Sequence, residues 1–274
     1  RLAITRLLAG LAFKSSMVPF HMWTPDAYEG APIPVTALLS VGPKAAGLAL
    51  FARLMTALAP AWPTLEPLLL VLTVLTMTLG NLVALAQTNV KRLLAYSTIG
   101  QVGYLLIGFM VNTSGGIEGL LLYLVAYLFM NLGVFACVVA VVNETGHESL
   151  DAFRGLSMRS PALALCCAVF LLSLAGMPPL LGFFGKFLLF GAALEAGKPI
   201  LAIAGIVNSA IALTYYVNII RLMYLNAPQR AEPLRTTPAL RWALAVCGAA
   251  TILLGLFPGP LLTWLSTRTV VTLL

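Results

Sequence analysis

The chain has 274 residues, 60% of them hydrophobic and 9% charged, with a net charge of +7 and a mean hydropathy of +0.98. Soluble domains carry roughly 25% charged residues, so the deficit excludes a soluble globular protein and points to an all-α integral membrane protein with little mass outside the bilayer. A β-barrel is excluded because the apolar runs are continuous rather than alternating. Nucleic-acid binding is excluded because the basic residues are scattered beside helix ends with no basic stripe.

At about 20 residues per span, the length accommodates roughly eight transmembrane helices with short connections. Segment one covers residues 2–28 and is interrupted at 19–25. Segment two covers 34–58, with Pro34 suited to a first helical turn, and the proline-rich stretch 59–67 reads as a loop. Segments three, four and five cover 67–87, 91–111 and 116–142, with the short turn NTSGG between the last two. The most polar stretch, 143–160, reads as a surface connection with room for one helical turn. Segment six covers 161–196, too long for one regular span, and Gly176, Pro178 and Pro179 break it. Segment seven covers 199–225. After the polar loop 226–238, segment eight covers 239–265 as a single span.

Segments one and six are therefore both discontinuous, and each carries a lysine beside its break. Broken helices at corresponding positions are the sequence pointer to inverted-repeat transporters. On that pattern, residues 1–58 form the end of a first repeat, 64–225 a complete second repeat, and 239–265 a C-terminal helix. The chain begins at Arg1 without an initiator methionine. The truncated first repeat leads us to expect about six further helices upstream, one with a mid-membrane glutamate.

Basic residues set the orientation. The side reached after segments one, three, five and seven carries Lys91, Arg92, Arg154, Arg159, Arg221, Arg230, Arg235 and Arg241, against Arg1, Arg6, Arg53, Lys198 and Arg268 on the other. The first side is expected to be cytoplasmic. The cysteines Cys137, Cys166, Cys167 and Cys247 all lie within apolar runs, without CxxC pairs or metal-ligand spacing to His21 or His147. They read as small buried apolar residues.

Chemistry is expected at the polar residues set in apolar surroundings. Lys14 and Lys186 flank the two breaks, where unpaired backbone groups can hold water. Lys44 stands about ten residues inside segment two with LLSVGP before it and AAGLALFA after it, near mid-bilayer, where a lysine marks an ion or proton path by default. Burial disfavours the charged form of a lysine and a nearby carboxylate favours it. A lysine that gains and loses such a partner can load and release a proton. His21, beside Pro19 and Trp23, either titrates near neutrality or fixes the broken loop by a hydrogen bond. Lys91, at a helix start beside Arg92, reads as a lysine reaching the interface. Ser97, Gln101 and Tyr104 fall on one helical face, and Tyr123, Tyr127 and Asn131 repeat at spacing four. These rows serve water chains and interhelical hydrogen bonding equally well. There is no Rossmann glycine pattern, iron–sulfur cysteine cluster or P-loop, so no cofactor is expected in this chain.

Three stretches together, FKSSMVPFHMWTPDAYEGAPIPVTALLSVGPKAAG, NLVALAQTNVKRLLAYSTIGQVGY and LLSLAGMPPLLGFFGKFLLF, resemble the antiporter-like membrane subunits of respiratory complex I. TPDAYEGAP and QTNVKRLLAYS favour subunit N, the NuoN/NdhB family, over subunits L and M and over the Mrp antiporters. The resemblance implies a fold of fourteen helices with two inverted five-helix repeats, of which this chain would be helices seven to fourteen. It implies a proton-translocating subunit of an NADH:quinone oxidoreductase in the bacterial inner (plasma) membrane rather than a thylakoid-type membrane. Its partners would be the other membrane subunits of complex I and the lipid bilayer, with NADH, FMN, iron–sulfur clusters and quinone in partner subunits. Lys14, Lys44 and Lys186 match the family's proton-relay lysines, the first pairing with a glutamate two helices earlier. Departures are the absence of that glutamate from this chain, Gln101 where many subunit N relatives have histidine, and Pro43, which should bend segment two beside Lys44. The alternatives are a stand-alone Mrp-like cation/proton antiporter and a structural scaffold.

Overall fold

The computed structural model describes residues 2–228 and 232–272, with side chains described over 6–228 and 232–267. Arg1, Arg230 and the Arg268 side chain lie outside the described residues. The described residues are helical, with no β-strand and one isolated bridge pairing Asn89 with Ser149.

Among the described residues, six helices are long and apolar enough to cross a bilayer. They are α3 (Ile33–Ala57), α4 (Trp62–Leu85), α5 (Val90–Val111), α6 (Ser114–Thr145), α10 (Pro199–Leu225) and α11 (Pro238–Leu256). The protein is thus a multi-pass α-helical membrane protein. Two further crossings are assembled from halves: α1 (Leu2–Ser15) with α2 (Trp23–Gly30), and α8 (Pro161–Ala175) with α9 (Leu181–Glu195). A half of 15 residues is about 22 Å long at about 1.5 Å per residue, short of the roughly 30 Å hydrocarbon core. The single-turn helix α7 (Leu156–Arg159) lies in the polar connection, and α12 (Gly259–Thr272) closes the described chain.

Local chemistry explains most boundaries. Asn89 caps α5, its side-chain oxygen accepting from the Lys91 and Arg92 amides at 2.8 and 3.2 Å, and Asn112 ends that helix in the left-handed conformation at φ 52°. Thr113 caps α6 and Gly146 ends it at φ 72°. Thr237 caps α11, with Pro238 as its first helical residue.

Three boundaries differ from the sequence expectation. Helix α4 begins at Trp62, because Pro63 lies in its first turn, where a missing N–H costs nothing. The first break spans residues 16–22 rather than 19–25: Ser16 already turns left-handed at φ 60°, whereas Pro25 fits the first turn of α2. Segment eight is not one helix over 239–265. It ends at Leu256 and a new helix starts at Gly259, since Pro258 offers no amide to continue the ladder. Helix α3, by contrast, runs unbroken through Pro43.

Helix α5 is the axis of the packing. Every residue in it but Arg92 and Tyr96 is buried, and α4, α6, α9, α2, α3 and α10 all pack on it. Close approach to α4 depends on Gly80 and Gly100, where a Cβ on Gly80 would meet the Gly100 and Tyr96 backbone. Small residues at such crossings let helix backbones meet when lipid supplies no hydrophobic drive.

The second break is sealed by a similar contact. The Ser173 hydroxyl of α8 accepts from the Gly182 amide in the first turn of α9 at 3.1 Å. A Cβ on Gly182 would collide with the Ser173 carbonyl. Gly182→Ala should therefore destabilise the protein by about 1–3 kcal/mol through overpacking. Gly191→Ala, on the same helix with nothing within 4 Å of its would-be Cβ, should be neutral or stabilising by up to about 1 kcal/mol. Thermal unfolding of the two variants in detergent checks the contrast.

Candidate functional site

The site is built around the two helix breaks and the lysines they hold. In the second break, Leu174 and Ala175 end α8, and their i+4 donors would be Pro178 and Pro179, which have no N–H. The Lys186 ammonium takes the place of those donors. It donates to the Leu174 carbonyl at 3.0 Å, the Ala175 carbonyl at 3.2 Å and the Ser209 hydroxyl at 3.2 Å. It also lies 4.2 Å from the centre of the Tyr104 ring. Gly176, at φ 92°, ends α8 and leaves room for the Lys186 stem, whose Cδ would be 3.0 Å from a Cβ there. Three donors meet three neutral acceptors, and no carboxylate is paired with Lys186 among the described residues.

Lys44 is fully buried at 0% exposure. Its ammonium donates to the Ser16 hydroxyl, which is itself hydrogen-bonded to the Thr24 hydroxyl at 2.5 Å. The indole of Trp23 lies beneath it, 4.9 Å from ring centre to Nζ. Ser16 is in the break and Trp23 opens α2, so the first broken helix supplies both contacts. Lys44, too, has no carboxylate partner among the described residues.

Between the two lysines runs a row of buried polar side chains. Ser40, one turn before Lys44, accepts from the Asn131 amide at 2.6 Å. Tyr127, one turn before Asn131 on α6, donates to Thr98 at 2.9 Å. Tyr123, one turn earlier still, donates to the Gln101 carbonyl oxygen. The Gln101 amide nitrogen donates at 3.3 Å both to the Tyr216 hydroxyl and to the Leu174 carbonyl, the latter shared with Lys186. Ser97 and Tyr216 are 2.5 Å apart. Below Lys186, Asn81 donates to the Tyr104 hydroxyl at 3.3 Å and accepts from Tyr215 at 2.9 Å. Hydroxyl groups both donate and accept, so the row is chemically competent to hand on a proton where water bridges its gaps.

Sequence reasoning placed Lys44, Lys186, Ser97, Gln101, Tyr104, Tyr123, Tyr127 and Asn131 in this region, and the structure brings them together. Three other residues stand apart. Lys14 has an exposed side chain whose stem crosses α3 at Gly47. His21 is buried within the first break, with no hydrogen-bond partner for Nδ1 among the described residues. Lys91 is bound at the membrane edge, paired with Glu148 at 2.7 Å and donating to the Glu29 and Ala31 carbonyls at 2.5 and 3.0 Å, which ties the end of α2 to the start of α5. The reading missed Ser16, Thr24, Ser40, Asn81, Thr98, Ser209, Tyr215 and Tyr216. Ser16 and Thr24 lie in the polar stretch around the first break, and the others are polar side chains within predicted spans, which does not say which partner each meets.

Tyr216→Phe removes the hydroxyl shared by Ser97 and Gln101. It should destabilise the protein by about 1–3 kcal/mol, the cost of leaving buried polar groups unpaired. Tyr224→Phe, at a position 39% exposed, should stay within about 0.5 kcal/mol. Denaturation of the purified variants in detergent distinguishes the two.

Comparison with known proteins gives the geometry a family context. Residues 1–212 match the family model described as NADH:quinone oxidoreductase/Mrp antiporter, TM. The chain is 48% identical over 268 residues to NADH-quinone oxidoreductase subunit N 2 of Sorangium cellulosum (strain So ce56), covering 93% of this chain and 52% of that protein. It is 46% identical over 284 residues to NAD(P)H-quinone oxidoreductase subunit 2 of Synechococcus sp. (strain JA-3-3Ab), covering 98% and 53%. Its structure superposes with a TM-score of 0.82 on a chain of respiratory complex I from Thermus thermophilus with bound aureothin, at 37% identity over 96% of this chain and 58% of the other. The chain spans about half the length of the curated relatives it matches.

Proposed function

Since the chain belongs to the NADH:quinone oxidoreductase/Mrp antiporter membrane family, we propose that it translocates protons as a membrane subunit of an NADH:quinone oxidoreductase. Electron transfer among NADH, FMN, iron–sulfur clusters and quinone takes place in partner subunits and drives the movement by long-range coupling. The other membrane subunits and the lipid of a bacterial plasma membrane surround it. The observation that carries this reading is the pair of buried lysines, Lys44 and Lys186, held by neutral groups and joined by the polar row from Ser40 to Tyr216.

Residues 1–58 are the end of one repeat, 64–225 the second, and 239–265 the C-terminal part. Lys14 completes the relay from the α1 surface, where a carboxylate on another membrane segment can reach its exposed ammonium. His21 and the polar row support the path, and Lys91 holds its frame. The quinone oxidoreductase names of the 48% and 46% identical relatives favour this reading over a stand-alone Mrp-like antiporter.

A relay lysine must lose its charge during the cycle, and arginine does not. Lys44→Arg keeps the charge and much of the volume, yet should lower proton uptake by at least about tenfold, within the range that positioned proton-transfer groups contribute. Lys44→Ala should do the same. The assay is NADH-driven uptake into inside-out vesicles, normalised to assembled complex. A purely electrostatic role ranks arginine near wild type and alanine defective, and that ranking would sink the relay.

Lys186→Ala should likewise lower pumping and coupled quinone reduction with assembly retained. Normal pumping at normal complex content would refute the role of the second break.

A further inference from the structure

We propose that Trp23 is a positioning residue for Lys44: its indole face seats the ammonium while its ring N–H locks the two halves of the first broken helix together. The proposal rests on the reading of Lys44 as a proton relay.

Trp23 is the first residue of α2. Its Nε1 donates at 2.9 Å to the carbonyl of Phe13 in the last turn of α1, so one hydrogen bond spans the break. The Phe13 ring packs on the indole with centroids 5.5 Å apart. The opposite requirement, a place for the charge of a fully buried lysine, falls to the same ring, 4.9 Å from Lys44 Nζ. Among the described residues the ammonium has a single side-chain acceptor, Ser16. The seat therefore supplies stabilisation that hydrogen bonding does not.

The chemistry of the seat suits a relay. A carboxylate beside Lys44 would hold the ammonium as an ion pair and could accept its proton. An aromatic ring attracts the cation through its quadrupole and accepts no proton. The acceptor in contact among the described residues is the Ser16 hydroxyl, which can take the ammonium hydrogen only as it passes its own to Thr24, and Thr24 its own to water. Lys186 also has an aromatic ring beside its ammonium, that of Tyr104 on α5 at 4.2 Å. Indole is the strongest of the aromatic faces for a cation, and it falls to the lysine with fewer hydrogen bonds.

The test installs mono-, di-, tri- and tetrafluorotryptophan at position 23 alone, by nonsense suppression, in the complete membrane complex. Fluorine withdraws density from the ring face, barely changes its shape and makes the N–H a slightly better donor. Cation seating and backbone locking thus respond with opposite sign. Proton uptake per assembled complex should fall stepwise, reaching about tenfold with four fluorines, the rate equivalent of losing a desolvated cation–π contact. The same series at Trp264, which is 57% exposed, should be flat. Trp23→Phe keeps a face and loses the N–H, and should retain more activity than Trp23→Leu. A flat series at Trp23 in a complex where Lys44→Ala abolishes pumping overturns the seat and leaves the relay standing. A flat series together with normal pumping by Lys44→Ala overturns both. Equal losses in Trp23→Phe and Trp23→Leu would reduce Trp23 to a backbone lock.

Discussion

A lysine held inside a membrane protein without a carboxylate must find its acceptors in the polypeptide, and an intact helix offers few. Its carbonyls already accept from the i+4 amides, so the better acceptors are hydroxyls and carbonyls whose amide donors a proline has removed. Breaking a helix releases carbonyls at a cost that a buried cation can offset. Pro178 and Pro179 remove the donors of Leu174 and Ala175, and Lys186, eight and seven residues after those prolines, supplies two replacements. The break and the lysine are thus one device. Each lowers the cost of the other, since a buried carbonyl without a donor and a buried ammonium without an acceptor are both unfavourable.

Helix α5 turns this local device into a site. It is enclosed on all sides, so its polar residues can meet only other protein groups. Ser97, Thr98, Gln101 and Tyr104 each find partners on different helices. Lysines from the edge fix both ends of the helix. Lys91 at its start reaches the terminal carbonyls of α2 and Glu148. At its end, the Met110 carbonyl accepts from Lys198, which pairs with Glu66 at 2.6 Å. A cation at a helix C-terminus complements the macrodipole. Ion pairs of this kind specify geometry more than they add stability, and here the geometry is the depth and rotation of the helix that carries the polar row.

The sequence made the breaks legible because proline chemistry is local. A lysine within a few residues of a proline pair needs no tertiary information to be suspected. The same rule was available at LFPGPLL, where Pro258 divides α11 from α12, and hydropathy alone concealed it because the apolar run continues to 265. Partnerships were not legible. Ser97 and Tyr216 are 119 residues apart in the chain, and Asn81 and Tyr215 are 134 apart. Spacing on one helix identifies a polar face and carries no information about which helix will cover it. Lys14 illustrates the remaining limit: it stands beside a break as Lys186 does, yet its side chain lies on the outer surface of the described residues.

The amide at Gln101 gives the middle of the row a definite polarity. An amide can neither lose nor gain a proton near neutrality, and its two ends are chemically distinct. Tyr123 donates to its oxygen, whereas Tyr216 accepts from its nitrogen. The Tyr123 hydroxyl thus spends its hydrogen on Gln101. The Tyr216 hydroxyl, which accepts from the Gln101 nitrogen, is also hydrogen-bonded to the Ser97 hydroxyl, where either oxygen can donate. On the proposed path, a histidine at position 101 would carry the proton itself. Glutamine instead takes the Tyr123 hydrogen and gives one of its own to Tyr216, and leaves the proton to hydroxyls and the water between them. Its nitrogen also shares the Leu174 carbonyl with Lys186, so that carbonyl keeps a donor whichever way the Lys186 side chain turns. The orientation of the row and the setting of the second lysine are thereby joined through one neutral side chain.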